Sequence, residues 1–210
     1  MQITRIYTQE NLAVGEKVHL EKQASQHLLR VLRASINDPV VLFNGRGGEF
    51  HGALFDAKKD QAIIELHRFE DVNRESPLSI HLLQGISRGE RMDYVIQKAT
   101  ELGVSKITPL FTERTTVRLD GARLEKRVAH WQQVSISACE QSGRCQVPKI
   151  NLPITLNEYL KKHQGPGIFC DTSSQTLFNR DALKEKAVTM LIGPEGGLSK
   201  NEIKSVEEKN

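Results

Sequence analysis

The chain has 210 residues, 38% of them hydrophobic and 26% charged, with a formal net charge of +3. That length accommodates one large or two small domains with a sizeable core, and the mild positive balance permits a nucleic-acid partner without demanding one. It shows no apolar run long enough to span a bilayer and no signal-peptide core at Met1-Gln2-Ile3-Thr4-Arg5-Ile6-Tyr7, so a cytoplasmic protein without a membrane partner is expected.

Up to about residue 70 short alternating runs dominate. Residues 4–7, 17–20, 39–43 and 62–66 read as strands, and Asn44-Gly45-Arg46-Gly47-Gly48 reads as a hairpin tip. Residues 24–32 read as a short helix, with Leu28, Val31 and Leu32 at helical spacing. This pattern predicts a small β-barrel over residues 1–73. The polar stretch 70–77, closed by Pro77, marks a boundary.

From residue 77 to 210 the pattern alternates. Residues 78–86 read as a buried strand, 90–102 as a helix stopped by Gly103, and 106–111 as a strand. Residues 122–141 read as a long helix with Trp131 and Val134 on one face, and 156–162 as a short one. Residues 167–170 and 187–192 are apolar strands, and a last helix starts at Lys200. Strand and helix in alternation predict a mostly parallel α/β sheet. Cys139, Cys145 and Cys170 have no metal-type spacing, and the seven histidines are scattered, so no metal site is expected. The thiols read as structural, in a reducing cytoplasm.

Four polar clusters fall at the ends of these elements: Ser87-Arg88-Gly89-Glu90-Arg91-Met92, Glu113-Arg114-Thr115-Thr116, Glu140-Gln141-Ser142-Gly143-Arg144, and the loop from Gly193 to Ser199. The last is the most informative. An apolar run stops at Gly193-Pro194-Glu195-Gly196-Gly197-Leu198, and Ser199 and Glu202 then stand at capping-box spacing. No Gly-Lys-Ser/Thr closes the loop, and Gly-x-x-Gly-Gly is not a dinucleotide fingerprint. Such a loop suits a nucleoside or amino-acid-like ligand better than a triphosphate, and it also reads as an ordinary strand-to-helix turn. No serine or cysteine stands in a recognisable nucleophile motif. Arginines, carboxylates and glycine-rich backbone fit transfer between two bound substrates, with the protein positioning both and removing one proton. In the first domain, Arg5, Arg30, Arg33 and Arg46 offer a basic face. Arg30 and Arg33 lie one helical turn apart beside the glycine-rich hairpin, which could follow a phosphate backbone or simply be solvated.

In order and spacing, these motifs resemble the RsmE family of 16S ribosomal RNA uridine N3-methyltransferases. The resemblance rests on residues 27–33, 45–50, Gly89-Glu90-Arg91-Met92-Asp93-Tyr94, 97–104, Glu113-Arg114-Thr115, Ala138-Cys139-Glu140-Gln141-Ser142-Gly143-Arg144 and 192–198, and covers nearly the whole chain. It implies a PUA-like RNA-binding barrel followed by a SPOUT α/β methyltransferase domain with a trefoil knot. It implies a homodimer that uses S-adenosylmethionine to methylate uridine N3 in 16S rRNA or the small ribosomal subunit.

By the resemblance, Leu191, Ile192, Gly193, Glu195, Gly196, Gly197 and Leu198 hold the methyl donor; Glu140 and Glu195 are the candidate proton-accepting carboxylates, with Glu195 alternatively fixing the loop or the dimer contact. Glu140, Arg144 and Arg114 are the candidate catalytic residues. Arg5, Arg30, Arg33, Arg46, Arg88 and Arg91 are the candidate RNA contacts. The family continues past the position of Asn210, so the resemblance further implies that the C-terminal part of the knot is missing here. A final helix without its packing partner, apolar surface exposed near Ile192 and Ile203, and little donor binding by residues 1–210 alone are then expected. An RNA-binding module without catalysis is the competing reading, and a nucleotide-dependent enzyme a third.

Overall fold

The computed structural model describes residues 3–58, 61–117, 119–162, 167–171, 174 and 186–209. It divides into two compact units, Met1–Glu75 with Cys139–Val147, and Ser76–Ala138 with Pro148–Asn210.

The first unit contains β1 (Thr4–Tyr7), β2 (Lys17–His19), α1 (Lys22–Gln26), β3 (Pro39–Phe43), β4 (Glu49–Lys58) and β5 (Gln61–Glu70). They form one sheet in the order β1-β3-β4-β5-β2, parallel between β1 and β3 and antiparallel elsewhere. Ile6, Val18, Leu20, Leu28, Val40, Leu42, Leu54, Ile64 and Leu66 are its buried core. Among the described residues no ladder joins β2 back to β1, so the expected barrel is described as a five-stranded sheet. Strand β4 escaped the sequence reading. Two register shifts, at His51/Gly52 and Leu54/Asp56, break the alternation that would have marked it.

The expected helix over 24–32 is also corrected. α1 ends at Gln26, and His27–Val31 form a π-helical turn. Its wider ring is closed by the Leu32 N–H donating to the His27 carbonyl at 3.0 Å. Arg33 follows with φ 54°, outside any helix. Arg30 and Arg33 are both exposed but do not share a regular helix edge.

The second unit contains β6 (Ser79–Gly85), α2 (Glu90–Glu101), β7 (Lys106–Phe111), α3 (Gly121–Ser142), β8 (Lys149–Ile150), β9 (Ile154–Thr155), α4 (Leu156–Lys162), β10 (Gly167–Cys170), β11 (Ala187–Ile192) and α5 (Lys200–Glu207). The last turn of α3 belongs to the first unit. The sheet is parallel throughout, ordered β10-β11-β6-β7-β8, with β9 also on β7. Successive strand residues point to opposite faces. Leu82 and Ile107 therefore join Met92, Ile96 and Trp131 in one core, while Leu83, Leu110 and Leu191 join Leu156, Leu160, Leu198 and Val206 in another. Burial on both faces explains the near-continuous apolar strands.

Helix α5 is not the unpartnered element expected. Val206 is buried, Ile203 packs against the Leu156–Leu160 cluster, and Ile192 packs into the opposite core. Its capping box is complete. An amphipathic stripe at i, i+3 on this short helix is sufficient to seat it. Among the described residues no helix is long and apolar enough to cross a membrane.

Candidate functional site

Strands β11, β6 and β7 are parallel neighbours, so the loops after them leave from one edge of the sheet. In open α/β sheets this carboxyl edge is where ligands bind. The loop after β11 is pressed onto the end of β6. A Cβ on Gly85 would lie 2.4 Å from the Pro194 nitrogen and 2.5 Å from its Cδ. No side chain can stand there without moving the loop. The buried Gln84 amide donates to the Gly85 carbonyl at 3.0 Å and the Gly193 carbonyl at 3.3 Å. Within the loop the Gly197 N–H donates to the Pro194 carbonyl at 2.8 Å, closing a tight turn, and Gly197 itself leaves it at φ +69°, a conformation that favours glycine. A Cβ at Gly196 would make only ordinary contact, 3.5 Å from Arg114 Cβ.

The three loops are tied together by charge-assisted hydrogen bonds. Arg114 Nη1 donates to the Gly196 carbonyl at 2.7 Å. The Arg88 N–H donates to Glu195 Oε1 at 3.0 Å, Arg91 Nη1 stands 3.5 Å from the same oxygen, and Arg88 Nε donates to Thr116 Oγ1 at 2.6 Å. Glu202, only 6% exposed, accepts from the Glu113 N–H with Oε1 and from the Ser199 N–H with Oε2, each at 2.9 Å. The Arg88 N–H, seconded by Arg91, holds the Glu195 carboxyl below the usual range. The Glu195 carboxylate thereby links the loop after β11 to the loop after β6.

The structure brings together Arg88, Arg91, Arg114, Glu195, Gly196 and Gly197 in the second unit. Glu140 and Arg144 lie in the first unit. There Glu140 Oε1 accepts from the Tyr7 N–H at 3.0 Å, and burial raises its carboxyl pKa against the opposing pull of that bond. Arg144 is engaged by Glu75. Its Nε donates to Glu75 Oε2 at 2.9 Å, while Oε1 of the same carboxylate accepts the Cys145 and Gln146 N–H groups.

Arg5, expected to contact RNA, is half-buried in the first unit. It pairs with Glu49, and its Nη2 donates to the Gly143 and Arg144 carbonyls at 3.3 and 3.2 Å. Arg74 also pairs with Glu49, at 2.9 Å. Arg30, Arg33 and Arg46 are exposed, and Arg46 Nη1 donates to Asn11 Oδ1 at 2.6 Å. Among the described residues, Glu49, His51 and Glu70 are close enough to share an ion, but Glu49 is already flanked by two guanidinium groups that oppose a cation.

Sequence reasoning missed Gly85, Glu202, Glu49 and Glu75. A signal was available for two of them: Gly85 ends an apolar strand, and Glu202 stands at capping-box spacing. Cys139 is inert, because burial pushes its thiol up to about 12.

Residues 74–210 match the family pattern described as an RNA methyltransferase domain, and residues 20–66 that described as an RNA methyltransferase PUA domain. The ribosomal RNA small subunit methyltransferase E of Buchnera aphidicola (subsp. Acyrthosiphon pisum) is 32% identical, over 98% of this chain and 82% of its own length. The chain belongs to the ribosomal RNA small subunit methyltransferase E family. Another member, from Rickettsia conorii, is 31% identical over 97% of this chain and 82% of its own. The crystal structure of the family member from Neisseria gonorrhoeae, bound to S-adenosylmethionine, is 38% identical. It has a TM-score of 0.93 over 99% of this chain and 86% of its own. A methyltransferase of Legionella pneumophila, in complex with the same cofactor, is also 38% identical, with a TM-score of 0.94 over 100% of this chain and 87% of its own.

Proposed function

We propose that this protein transfers a methyl group from S-adenosylmethionine to N3 of a uridine in 16S rRNA. It acts as a cytoplasmic homodimer on the rRNA or the small ribosomal subunit, through a SPOUT-type second domain. The observation that carries the reading is the convergence of three loops on residues 193–198 at the carboxyl edge of a parallel sheet, in a chain of this family. Two solved relatives with this fold hold S-adenosylmethionine.

The residues present fit that molecule. Gly196 and Gly197 have no atom closer than 3.5 Å to where a side chain would begin, so a ligand can lie against their backbone. Leu191 and Leu198 lie in the buried core beneath the loop, and the backbone of Gly193, Glu195, Gly196 and Gly197 gives polar groups without a triphosphate-type cradle. When bound, the molecule supplies an electrophilic methyl on sulfonium sulfur. This chain's task is to orient the uridine and take its N3 proton, because neutral N3 is a poor nucleophile. Glu140 is the proton acceptor in this proposal, and burial raises its carboxyl above the ordinary carboxylate value. Glu195, held ionised by the Arg88 N–H, orders the donor loop. Arg114 holds the Gly196 carbonyl, and Arg144 braces the segment that carries Glu140. Arg30, Arg33, Arg46, Arg88 and Arg91 are the phosphate contacts, all of them exposed.

Incubation of the protein with small-subunit rRNA and methyl-labelled donor tests this against RNA binding alone. Stoichiometric label in the RNA is expected. RNA retention with no label would favour a binding module without catalysis.

A further inference from the structure

Glu202 stands three residues after the N-cap Ser199, at the N3 position of α5. An N3 glutamate of a capping box needs only one oxygen, which accepts the N-cap N–H, and it ordinarily sits in solvent. Here the carboxylate is 6% exposed, and both oxygens are engaged by different segments. Oε2 accepts the Ser199 N–H of its own cap, and Oε1 accepts the Glu113 N–H of the loop after β7, each at 2.9 Å. The next residue, Arg114, donates to the Gly196 carbonyl at 2.7 Å. Two successive residues of one loop are therefore pinned to two points of the 196–202 segment, both as donors. The carboxylate link is charge-assisted, and without it a backbone N–H would lose its partner.

We propose that Glu202 is a positioning residue for the methyl donor, holding the Gly193–Leu198 loop in register with the loop that carries Arg114. The proposal rests on the reading of that loop as the donor site. It makes donor affinity depend on the Glu113–Glu202 bond, beyond the stability that the helix cap contributes.

Glu202→Gln separates the two roles. Glutamine keeps one acceptor oxygen and is a normal capping-box residue, so the Ser199 link and the helix survive. Its amide nitrogen cannot accept the Glu113 N–H. Val206→Ala, in the buried face of the same helix, destabilises α5 without touching either bond. In the donor-free protein, Glu202→Gln is expected to speed amide exchange at Glu113 at least tenfold while leaving Ser199 protected. Calorimetry is expected to show about tenfold weaker binding of S-adenosylmethionine, while Val206→Ala changes it less than twofold despite a lower melting temperature.

Donor-dependent amide shifts at Gly196 and Gly197 in the native protein check the underlying reading. If those shifts are present and Glu202→Gln binds within twofold of native, or Val206→Ala weakens binding as much, this inference is overturned alone. If the native protein shows no such shifts, the donor reading and the inference fall together.

Discussion

Arg144 and Glu75 form a largely buried pair in which one carboxylate serves four donors: Arg144 Nε at 2.9 Å and Nη2 at 2.5 Å, and the N–H groups of Cys145 and Gln146 at 3.3 and 3.2 Å. Breaking such a pair from one side leaves an uncompensated charge in a site where Arg144 is only 6% exposed. Glu75→Ala and Arg144→Ala are each expected to cost about 3 kcal/mol of stability. The double variant should cost clearly less than their sum. Additive losses in denaturant melts would mean that the two groups do not act as a unit.

Two carboxylates set opposite pH dependences. Burial pushes Glu49 up, but hydrogen bonds from Arg74 and Arg5 outweigh it and hold the carboxyl at about 2. The folded value is depressed, so its stabilisation is full above the unfolded value near 4.5 and is lost as pH falls toward 2. The amount is about 3 kcal/mol. Glu140 runs the other way. Its folded pKa is raised, so the penalty is absent below the unfolded value of 4.5, grows as pH rises above it, and is full once pH passes the folded value. Glu140→Gln, which still accepts the Tyr7 N–H, is expected to raise the melting temperature at pH 8, leave it unchanged at pH 4, and lower kcat at least a hundredfold. An unchanged kcat would remove Glu140 from proton transfer.

The glycines of the donor edge are not equivalent. A Cβ at Gly85 meets Pro194 backbone at 2.4 Å, whereas one at Gly196 meets Arg114 at an ordinary 3.5 Å. Gly85→Ala is expected to lower the melting temperature by several degrees, since overpacking typically costs about 1–3 kcal/mol. Gly196→Ala should melt within about a degree of native yet bind donor at least tenfold more weakly, because the ligand covers that backbone. Normal donor affinity in Gly196→Ala would take this residue out of the binding surface.

On the RNA side, Arg30 and Arg33 are exposed while Arg5 is half-buried and paired with Glu49. Changing Arg30 and Arg33 together to Ala should reduce the salt dependence of RNA affinity by about one unit of log–log slope for each phosphate that is no longer neutralised. The fold should be untouched. Arg5→Ala is expected to destabilise the first unit instead. An unaltered slope in the double variant would place the phosphate path elsewhere.

The strongly periodic elements were legible in the sequence: α2, β7, α3 and β11 fall within a residue or so of their expected bounds. So was the Gly193–Leu198 loop, because an apolar run ending in glycines followed by a cap is a local signal. Strand β4 was not, since its two register shifts erase alternation. The π-turn at His27–Val31 was not either, because its apolar spacing passes for α-helical. Long-range pairing was the main blind spot. Arg5 and Arg144 read as basic binding groups, yet their partners Glu49 and Glu75 lie 44 and 69 residues away in the chain. The capping role of Glu202 was visible from spacing, but its second partner, Glu113, comes from a loop 89 residues distant.

The central claim, methyl transfer to uridine N3, is tested most directly by nucleoside mass spectrometry of small-subunit rRNA treated with the protein and isotopically labelled S-adenosylmethionine. Labelled 3-methyluridine at a single site is the expected product. Label found on carbon 5 or on the ribose 2′-oxygen, or no labelled nucleoside at all, would contradict the account.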